Sequence, residues 1–359
     1  MRPPGAKSEG SGADFIFNGE AVVARVGVGI VGVGFMGWIH YLAYRQCRSA
    51  ELVAFCSREP KKRAGDWRGI QGNFGPPGEV IDVSGLSAYE SLDQLLADPR
   101  VELVDICLPP HLHGEAVAKS LSAGKHVICE KPLALTSAEA AALAAGSEGR
   151  LLVAQILPFF FEYRFLAEAV ADGRFGKLLG GHFKRVIGPP DWVPDFYDPQ
   201  RVGGPLIDLH VHDAHLIRML MGMPLEAHSV CRMKDGIPKY VETVFRFADP
   251  ELVVGATSGV IDQASRGFTH GFDVQFERAN VQFEGASFGD GSGASIPLTV
   301  AHSDGRVERP TEDPAAAGDP FVAELDAAAE AVRSGRPHPA LQAAVAVDAI
   351  KICEMQVPG

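Results

Sequence analysis

The chain lacks several features that would place it in a membrane or direct it out of the cell. Its 359 residues contain no apolar run of about 18 residues, which a membrane-spanning helix needs. Residues 1–24 are polar and have no apolar core like that of a secretion signal, so we interpret them as a flexible arm. These absences lead us to expect a cytoplasmic protein with no membrane partner.

The chain also lacks an excess of positive charge. It has 33 basic and 45 acidic residues, a formal net charge of −12 at pH 7. A surface that binds nucleic acid or an anionic membrane is normally rich in lysine and arginine. We therefore expect small molecules, and no nucleic acid, among its ligands.

Cysteine is sparse, and no two cysteines are arranged as a CxxC pair. Four of the six lie inside apolar runs: Cys56, Cys107, Cys129 and Cys231. Such positions are typical of buried thiols in a reducing compartment rather than of disulfides or a zinc site.

Apolar runs and amphipathic segments alternate through residues 25–148. Fully apolar strands alternating with helices indicate βαβ units and a parallel sheet buried on both faces. Residues 149–359 are dominated by strand-like alternation, with closing helices at about 320–356. The predicted fold class is therefore α/β: an N-terminal doubly wound Rossmann domain, then an α+β domain with a large, mostly antiparallel open sheet.

A glycine motif directly follows the first predicted strand. The segment "GVGFMG" supplies Gly32, Gly34 and Gly37 with the GxGxxG spacing, and a helical pattern begins at Phe35 and Met36. The first glycine permits a tight turn, the second lets a pyrophosphate approach the backbone, and the third lets helix and sheet pack closely. We predict that these five residues bind a dinucleotide.

The end of the second predicted strand bears on which dinucleotide is bound. An NAD site usually has an acidic residue there, which bonds the ribose 2′-hydroxyl. This chain has Ser57 and Arg58 instead. Because a guanidinium holds a 2′-phosphate well, we favour NADP over NAD, while a solvated basic helix face is the alternative reading.

A third motif, Glu130-Lys131-Pro132, follows the apolar run "KHVIC". Ligands bind at the carboxyl ends of parallel strands, and charged residues at such a position are usually paired or functional. Lys131 could polarise a substrate oxygen. The alternative is a structural Glu–Lys pair.

Together with "CLPPHLHGEAV" and "GGPLIDLHVHDAH", these motifs resemble the glucose–fructose oxidoreductase/inositol dehydrogenase (Gfo/Idh/MocA) family, most strongly over residues 26–222. The resemblance implies a homodimer or homotetramer formed through the C-terminal sheet. It implies an enzyme that oxidises or reduces sugars or cyclitols with NAD(P), with Lys131 as a catalytic residue. It also assigns a set of cofactor-side residues: Leu108, Pro109, His111, His113, Glu130 and Lys131.

The segment "DLHVHDAH" supplies the predicted acid–base residues. Asp208 and His212 have i, i+4 spacing, which places them on one face of a continuous helix, and the resemblance puts such a pair beside the nicotinamide. His212 would exchange the hydroxyl proton with support from Asp208. His215 shares that face, where the family often has Asp. His210 points elsewhere.

Five residues are further expected to contact the substrate: Gln155, Lys184, Trp192, Tyr197 and His215.

Two other functions remain open from the sequence. One is a glycoside hydrolase or lyase that oxidises the sugar transiently, with no net redox change. The other is a metal-dependent hydrolase in which Asp208, His212 and His215 hold the ion, although our own prediction includes no metal.

Overall fold

Six short parallel strands form the first sheet, and their apolar sequences explain why both faces are covered. The computed structural model describes residues 24–190, 193, 195–313 and 317–357, so the predicted arm lies almost wholly outside the described residues. The strands are β1 (Val26–Val31), β2 (Ala50–Cys56), β3 (Ser87–Tyr89), β4 (Leu103–Ile106), β5 (His126–Cys129) and β6 (Leu151–Val153). Their order, β3-β2-β1-β4-β5-β6, reverses between β1 and β4, and that switch point is where this type of sheet binds ligands.

Helices connect these strands as the alternating pattern predicts. They are α1 (Phe35–Tyr44), α2 (Pro60–Arg63), α3 (Leu92–Leu96), α4 (His113–Ser122) and α5 (Ser137–Ala145). The strands and helices share a core that includes Trp38 and Phe55, both buried. A Gly- and Pro-rich segment after β2, residues 66–85, folds back over α1, where Trp38 Nε1 donates to the Pro76 carbonyl. Phe74 of this segment packs against Phe35 of the glycine motif, with ring centroids 4.8 Å apart.

The second sheet has eight strands and is mostly antiparallel. They are β7 (Leu178–Ile187), β8 (Glu226–Lys234), β9 (Ile237–Arg246), β10 (Val253–Val260), β11 (Arg266–Phe276), β12 (Ala279–Phe288), β13 (Gly293–His302) and β14 (Val307–Glu308). Their order is β14-β13-β12-β11-β7-β10-β9-β8, with β7 and β10 parallel. The predicted fold class is therefore confirmed.

One face of this sheet is covered and the other is open. The remaining helices are α6 (Phe161–Asp172), α7 (Gly204–Asp208), α8 (Val211–Met221), α9 (Pro320–Ser334) and α10 (Ala343–Glu354). Helix α9 contacts α1 of the first domain, and α10 contacts α5 and α8.

The domain boundaries after residues 24 and 148 stay predictions. No helix in the described part of the chain has both the length and the apolar character needed to cross a membrane.

The helix predicted through "IDLHVHDAH" is interrupted in the structure. Helix α7 ends at Asp208 and α8 begins at Val211. The amide of His210 bonds back five residues to the Pro205 carbonyl, and such a wider turn breaks the regular ladder of i to i−4 bonds. Because of this break, i, i+4 spacing no longer implies that Asp208 and His212 share a helix face.

Candidate active site

A cavity of about 990 Å³ extends from the glycine motif at the carboxyl edge of the first sheet to the helix-covered face of the second. Its wall includes Gly34, Lys131, Asp208 and His212. The structure therefore brings the three separately predicted motifs to one space. This volume is at the upper end of the usual range for ligand sites, and sites between domains are common.

The glycine motif has the geometry of a phosphate cradle. Gly32 has φ +98°, which L residues rarely adopt. A Cβ on Gly37 would lie 2.1 Å from the Gly32 carbonyl oxygen, whereas one on Gly34 would meet nothing within 4 Å. Helix α1 begins here without a side-chain cap, so its first amides are free to bind an anion. The residues present thus fit a dinucleotide, and Phe35 and Met36 also line the cavity.

The loop after β4 borders the same space. Leu108, Pro109 and His111 line the cavity. His113, in contrast, is buried behind them, with Nε2 2.7 Å from the Leu108 carbonyl and Nδ1 2.8 Å from the Pro132 carbonyl. It ties two loops together and is not part of the cavity wall, so its assignment as a direct cofactor contact is not supported by its position.

Ser57 and Arg58 follow β2, as predicted, but lie outside the cavity wall. Ser57 is buried and its hydroxyl accepts from the Glu59 amide. The side chain of Arg58 is exposed. A 2′-phosphate could therefore meet Arg58 only at the surface end of the dinucleotide site.

Lys131 connects the two halves of the site. Its Nζ donates to the Asp208 carbonyl oxygen at 2.7 Å and to Asp208 Oδ1 at 3.2 Å. The carbonyl is available because α7 ends at Asp208, and the last carbonyls of a helix lack intrahelical partners. The Lys131–Pro132 peptide is cis. Asp208 is therefore placed to hold Lys131.

His212 occupies the first turn of α8 and faces the cavity. Its Nδ1 is buried and has no hydrogen-bond partner among the described residues. Burial, and then the charges of Lys131 and Arg185, hold the pKa of His212 well below its ordinary value. The imidazole is therefore neutral at physiological pH, the form that can accept a proton.

The other histidines of this segment turn away from the cavity. His215 is buried and is not part of the cavity wall, and burial lowers its pKa to about 3. His210 is also buried, with its pKa lowered to about 4 for the same reason. The structure therefore does not support His215 as a substrate contact.

Arg185 and His270 are two of the polar wall residues that were not predicted from the sequence. Arg185 on β7 lines the cavity and is held by Asp213 in a buried bidentate pair, with Nε–Oδ2 at 2.8 Å and Nη2–Oδ1 at 3.1 Å. His270 on β11 also lines it and pairs with the Tyr163 hydroxyl at 2.8 Å. Strand alternation is the sequence signal that could have identified Arg185. Neighbouring residues of a strand face opposite sides of the sheet, so Arg185 faces the cavity if Lys184 faces away from it.

Three further predicted substrate residues, Gln155, Lys184 and Tyr197, are not part of the cavity wall. Lys184 lies on the open face of the sheet and pairs with Glu284 at 2.9 Å. Gln155 is buried beside the wall rather than in it. Tyr197 lies under Lys234, whose Nζ is 3.8 Å from the ring centroid. Trp192 falls outside the described residues.

A further polar group lies behind Glu130 and was not recognised from the sequence. His40 Nδ1 is 2.8 Å from Asp105 Oδ2, and His40 Nε2 is within ion-pair distance of Glu130 Oε1, at 3.1 Å. Tyr44 OH donates to Asp105 at 3.0 Å. We call the following residues the buried polar cluster: His40, Tyr44, Asp105, Cys107, Glu130 and Glu324.

The protonation of the cluster follows from its contacts. Burial alone would lower the pKa of His40, but Asp105 more than offsets this and holds that pKa well above its ordinary value. His40 is thus an imidazolium between two carboxylates. Burial and the nearby Glu130 raise the pKa of Glu324 to about 8, so Glu324 is largely a neutral acid at pH 7.

Among the described residues, side chains that lie as close together as metal ligands are found in this cluster rather than around His212. Ligand-type atoms of His40, Asp105 and Cys107 lie within 4.8 Å of one another. They are already engaged with each other, because Cys107 Sγ lies 3.4 Å from both His40 Nδ1 and Asp105 Oδ1. Asp208, His212 and His215 form no such grouping, so the metal-dependent alternative loses its structural premise.

Comparison with known proteins agrees with this architecture. Residues 26–154 match the family described as "Oxidoreductase family, NAD-binding Rossmann fold", and residues 163–281 match the "GFO/IDH/MocA C-terminal domain". These matches cover more than half of the chain. The chain therefore belongs to the Gfo/Idh/MocA oxidoreductase family, and at the level of the family the prediction of an NAD(P)-dependent oxidoreductase is confirmed.

The sequence identity to individual relatives is modest. The chain is 34% identical to the 1,5-anhydro-D-fructose reductase of Ensifer adhaerens over 194 residues, which is 51% of this chain and about half, 55%, of that protein. It is 29% identical to the myo-inositol 2-dehydrogenase of Thermotoga maritima, over 70% of this chain and 71% of that one.

Among solved structures, a 3-ketoreductase from Actinomadura kijaniata in complex with NADP and TDP-benzene superposes with a TM-score of 0.70 at 18% identity. The superposition covers 93% of this chain and 97% of the ketoreductase. At this level of identity the similarity shows the fold.

Proposed function

We propose that this protein is an NAD(P)-dependent oxidoreductase that transfers a hydride between the nicotinamide and the hydroxyl-bearing or keto carbon of a sugar or cyclitol. The observation that carries the proposal is the convergence of Lys131, Asp208 and His212 on a cavity that also contains the glycine cradle. The bound dinucleotide supplies the hydride acceptor or donor. The names of the reductase and dehydrogenase relatives support a carbohydrate substrate.

The side chains divide the proton chemistry between them. His212, neutral and facing the cavity, accepts the hydroxyl proton during oxidation and returns it during reduction. Lys131 donates to the substrate oxygen and stabilises the negative charge that develops there. Asp208 keeps the ammonium group of Lys131 in place. In this arrangement Asp208 supports Lys131 directly. The helical spacing led us to expect that Asp208 would support His212 instead.

The charges of the cavity wall favour an uncharged substrate. Lys131 is paired with Asp208 and Arg185 with Asp213. Arg201 lies 3.2 Å from Asp195, and His212 and His270 are neutral because burial lowers the pKa of each. Cations that already have carboxylate partners gain little from an anionic substrate, but their remaining N–H groups can donate to hydroxyl oxygens.

Our preference for NADP rests on Ser57 and Arg58. The NADP bound by the ketoreductase of the same fold is compatible with it. Arg58→Ala should weaken NADP binding by about tenfold, the effect of one charged hydrogen bond, and leave NAD binding unchanged. Equal effects on both dinucleotides would count against NADP.

We further propose a homodimer or homotetramer that assembles in the cytoplasm through the open face of the second sheet. Apolar side chains are exposed on neighbouring strands of this face: Val230 at 79%, Val244 at 55% and Val253 at 68%. Contiguous exposed apolar surface commonly marks an interface. Analytical ultracentrifugation of the wild type and Val253→Lys tests this, and a monomeric wild type would exclude it.

A substrate panel tests the main proposal. Sugars, cyclitols and their keto forms are incubated with NAD(H) or NADP(H), and absorbance of the reduced nicotinamide is followed. Net oxidation or reduction of one class supports the proposal. A glycoside cleaved without accumulation of reduced cofactor would support the transient-oxidation alternative instead, and metal analysis of the active protein tests the hydrolase.

A further inference from the structure

Glu324 brings a carboxyl group into the cavity wall from the C-terminal part of the chain. Helix α9 contacts α1 of the first sheet, and Glu324 lines the cavity while being 1% exposed. Its Oε1 is buried and has no hydrogen-bond partner among the described residues. A buried polar atom without a partner is uncommon and calls for a partner that the protein alone does not supply.

Glu130 and Glu324 are chemically similar but have different surroundings. His40 Nε2 lies 3.1 Å from Glu130 Oε1, and the Lys131 amide donates to Glu130 Oε2 at 3.1 Å. Glu130 is thus in contact with a cation and with an N–H group. At Glu324, burial and then the negative charges of Glu130 and Asp105 raise the pKa to about 8, and they outweigh the opposing effects of His40 and the Gln155 amide. One acceptor and one donor therefore line the same part of the cavity.

We propose that Glu324 donates a hydrogen bond to the carboxamide oxygen of the bound nicotinamide while Glu130 accepts one from the carboxamide NH₂, so that the pair selects the carboxamide-bearing ring. This inference rests on the proposed function, because it requires a nicotinamide dinucleotide in the cavity. Within the buried polar cluster, His40 and Asp105 act as positioning residues that keep Glu130 the acceptor.

The position of the pair supports this assignment. Glu130 directly follows β5 and lies in the wall next to Lys131. A dinucleotide with its pyrophosphate at the N-terminus of α1 would bring its ring to the carboxyl ends of the strands near the switch point. The carboxamide is the ring substituent that carries both a donor and an acceptor, and an acid beside a carboxylate is its complement.

The first test measures binding of the reduced dinucleotide by calorimetry, because its ring is uncharged and adds no attraction to an ionised Glu324. Between about pH 7 and about pH 9.5, wild-type binding should weaken at least about fivefold as Glu324 loses its proton. Glu324→Gln keeps an N–H donor and should bind equally well at both pH values. Glu324→Leu should bind weakly at both.

Other titratable groups also face this region: His40, Tyr44, Asp105, Cys107 and Glu130. Because these groups are the same in both proteins, the comparison of wild type with Glu324→Gln isolates the contribution of Glu324. Thr243→Val, which removes a buried hydrogen bond to Gln356 outside the cavity wall, is the control for general destabilisation. It should follow the wild type.

The second test uses the reduced 3-acetylpyridine analogue, which keeps the carbonyl but lacks the NH₂ group. Glu130→Leu, which has no acceptor for the NH₂ group, should weaken binding of the nicotinamide form more than that of the analogue, whereas Glu324→Leu should weaken both alike. Equal, pH-independent binding by wild type, Glu324→Gln and Glu324→Leu would overturn the inference. Failure of the wild type to bind any nicotinamide dinucleotide would instead overturn the proposed function.

Discussion

Lys131 Nζ lies 2.7 Å from the main-chain carbonyl oxygen of Asp208, across 77 residues of sequence. The contact joins the carboxyl end of β5 to the end of α7, and with it the dinucleotide half of the cavity to the substrate half. A main-chain acceptor cannot be removed by substitution of its own side chain. Lys131 should therefore stay in place in variants of Asp208 that leave α7 intact.

Lys131→Met should lower kcat by about 10²–10³-fold, the usual effect of losing one group that stabilises a developing oxyanion. Dinucleotide affinity should change little, because the glycine cradle is untouched. Steady-state kinetics and calorimetry on the same preparation separate the two quantities. Lys131→Arg keeps the charge and serves as the matched control; full activity in Lys131→Met would remove Lys131 from the mechanism.

Asp208→Asn discriminates between two roles for Asp208. If Asp208 holds Lys131, as the contacts indicate, the variant retains the carbonyl bond and should lose only about tenfold in kcat, with the pH profile of kcat/KM unchanged in shape. If Asp208 instead orients His212, the acidic limb of that profile should move. The measurement is kcat/KM across pH for wild type and variant.

His212 should act as a base well into the acidic range. Because burial and the nearby cations hold its pKa well below the ordinary value, His212 stays neutral as the pH falls through 6.5, the ordinary pKa of an imidazole. The rate of substrate oxidation should therefore not fall near pH 6.5 because of His212. Any fall that does occur there should persist in His212→Asn. His212→Asn itself should lower kcat by about 10²-fold or more. An acidic limb at pH 6.5 that disappears in the variant would contradict this.

The Arg185–Asp213 pair should be costly to break on one side. Its side chains are 4% and 1% exposed, so Asp213→Asn leaves a buried guanidinium unpaired and should destabilise the fold by about 3–5 kcal/mol. Replacing both partners, as in Arg185→Met/Asp213→Leu, should recover much of that loss. Urea unfolding measures both, and a double variant less stable than Asp213→Asn would refute the reasoning.

Glu324 should make stability depend on pH. Its pKa is raised from 4.5 to about 8 in the folded state, so its contribution is fully present below pH 4.5 and is lost as the pH rises through 8. The loss amounts to at most about 5 kcal/mol. Glu324→Gln should remove this dependence and be more stable than the wild type at pH 8. Unfolding free energies of the two proteins at pH 5 and pH 8 give the comparison.

Local patterns in the sequence were sufficient to predict the fold class and to mark two segments that line the cavity. Apolar strands alternating with helices, the strand–glycine–helix order around Gly32, and the charged residues after "KHVIC" all depend on neighbours in the chain. The glycine motif and the charged residues after "KHVIC" both contribute to the wall of one cavity. Such features depend on short-range sterics and on the burial of both faces of a parallel sheet.

Long-range packing decided the rest. Because the helix breaks at Leu209, Asp208 contacts Lys131 and not His212. The pairing of β7 in the second sheet places Lys184 on the open face and Arg185 in the cavity wall. Contact of α9 with α1 placed Glu324 beside Glu130, nearly two hundred residues away. The sequence alone determined which chemical groups the chain carries and the order of its strands and helices. The tertiary structure determined which groups meet, because pKa values and hydrogen bonds depend on burial and on neighbours that are distant in the chain.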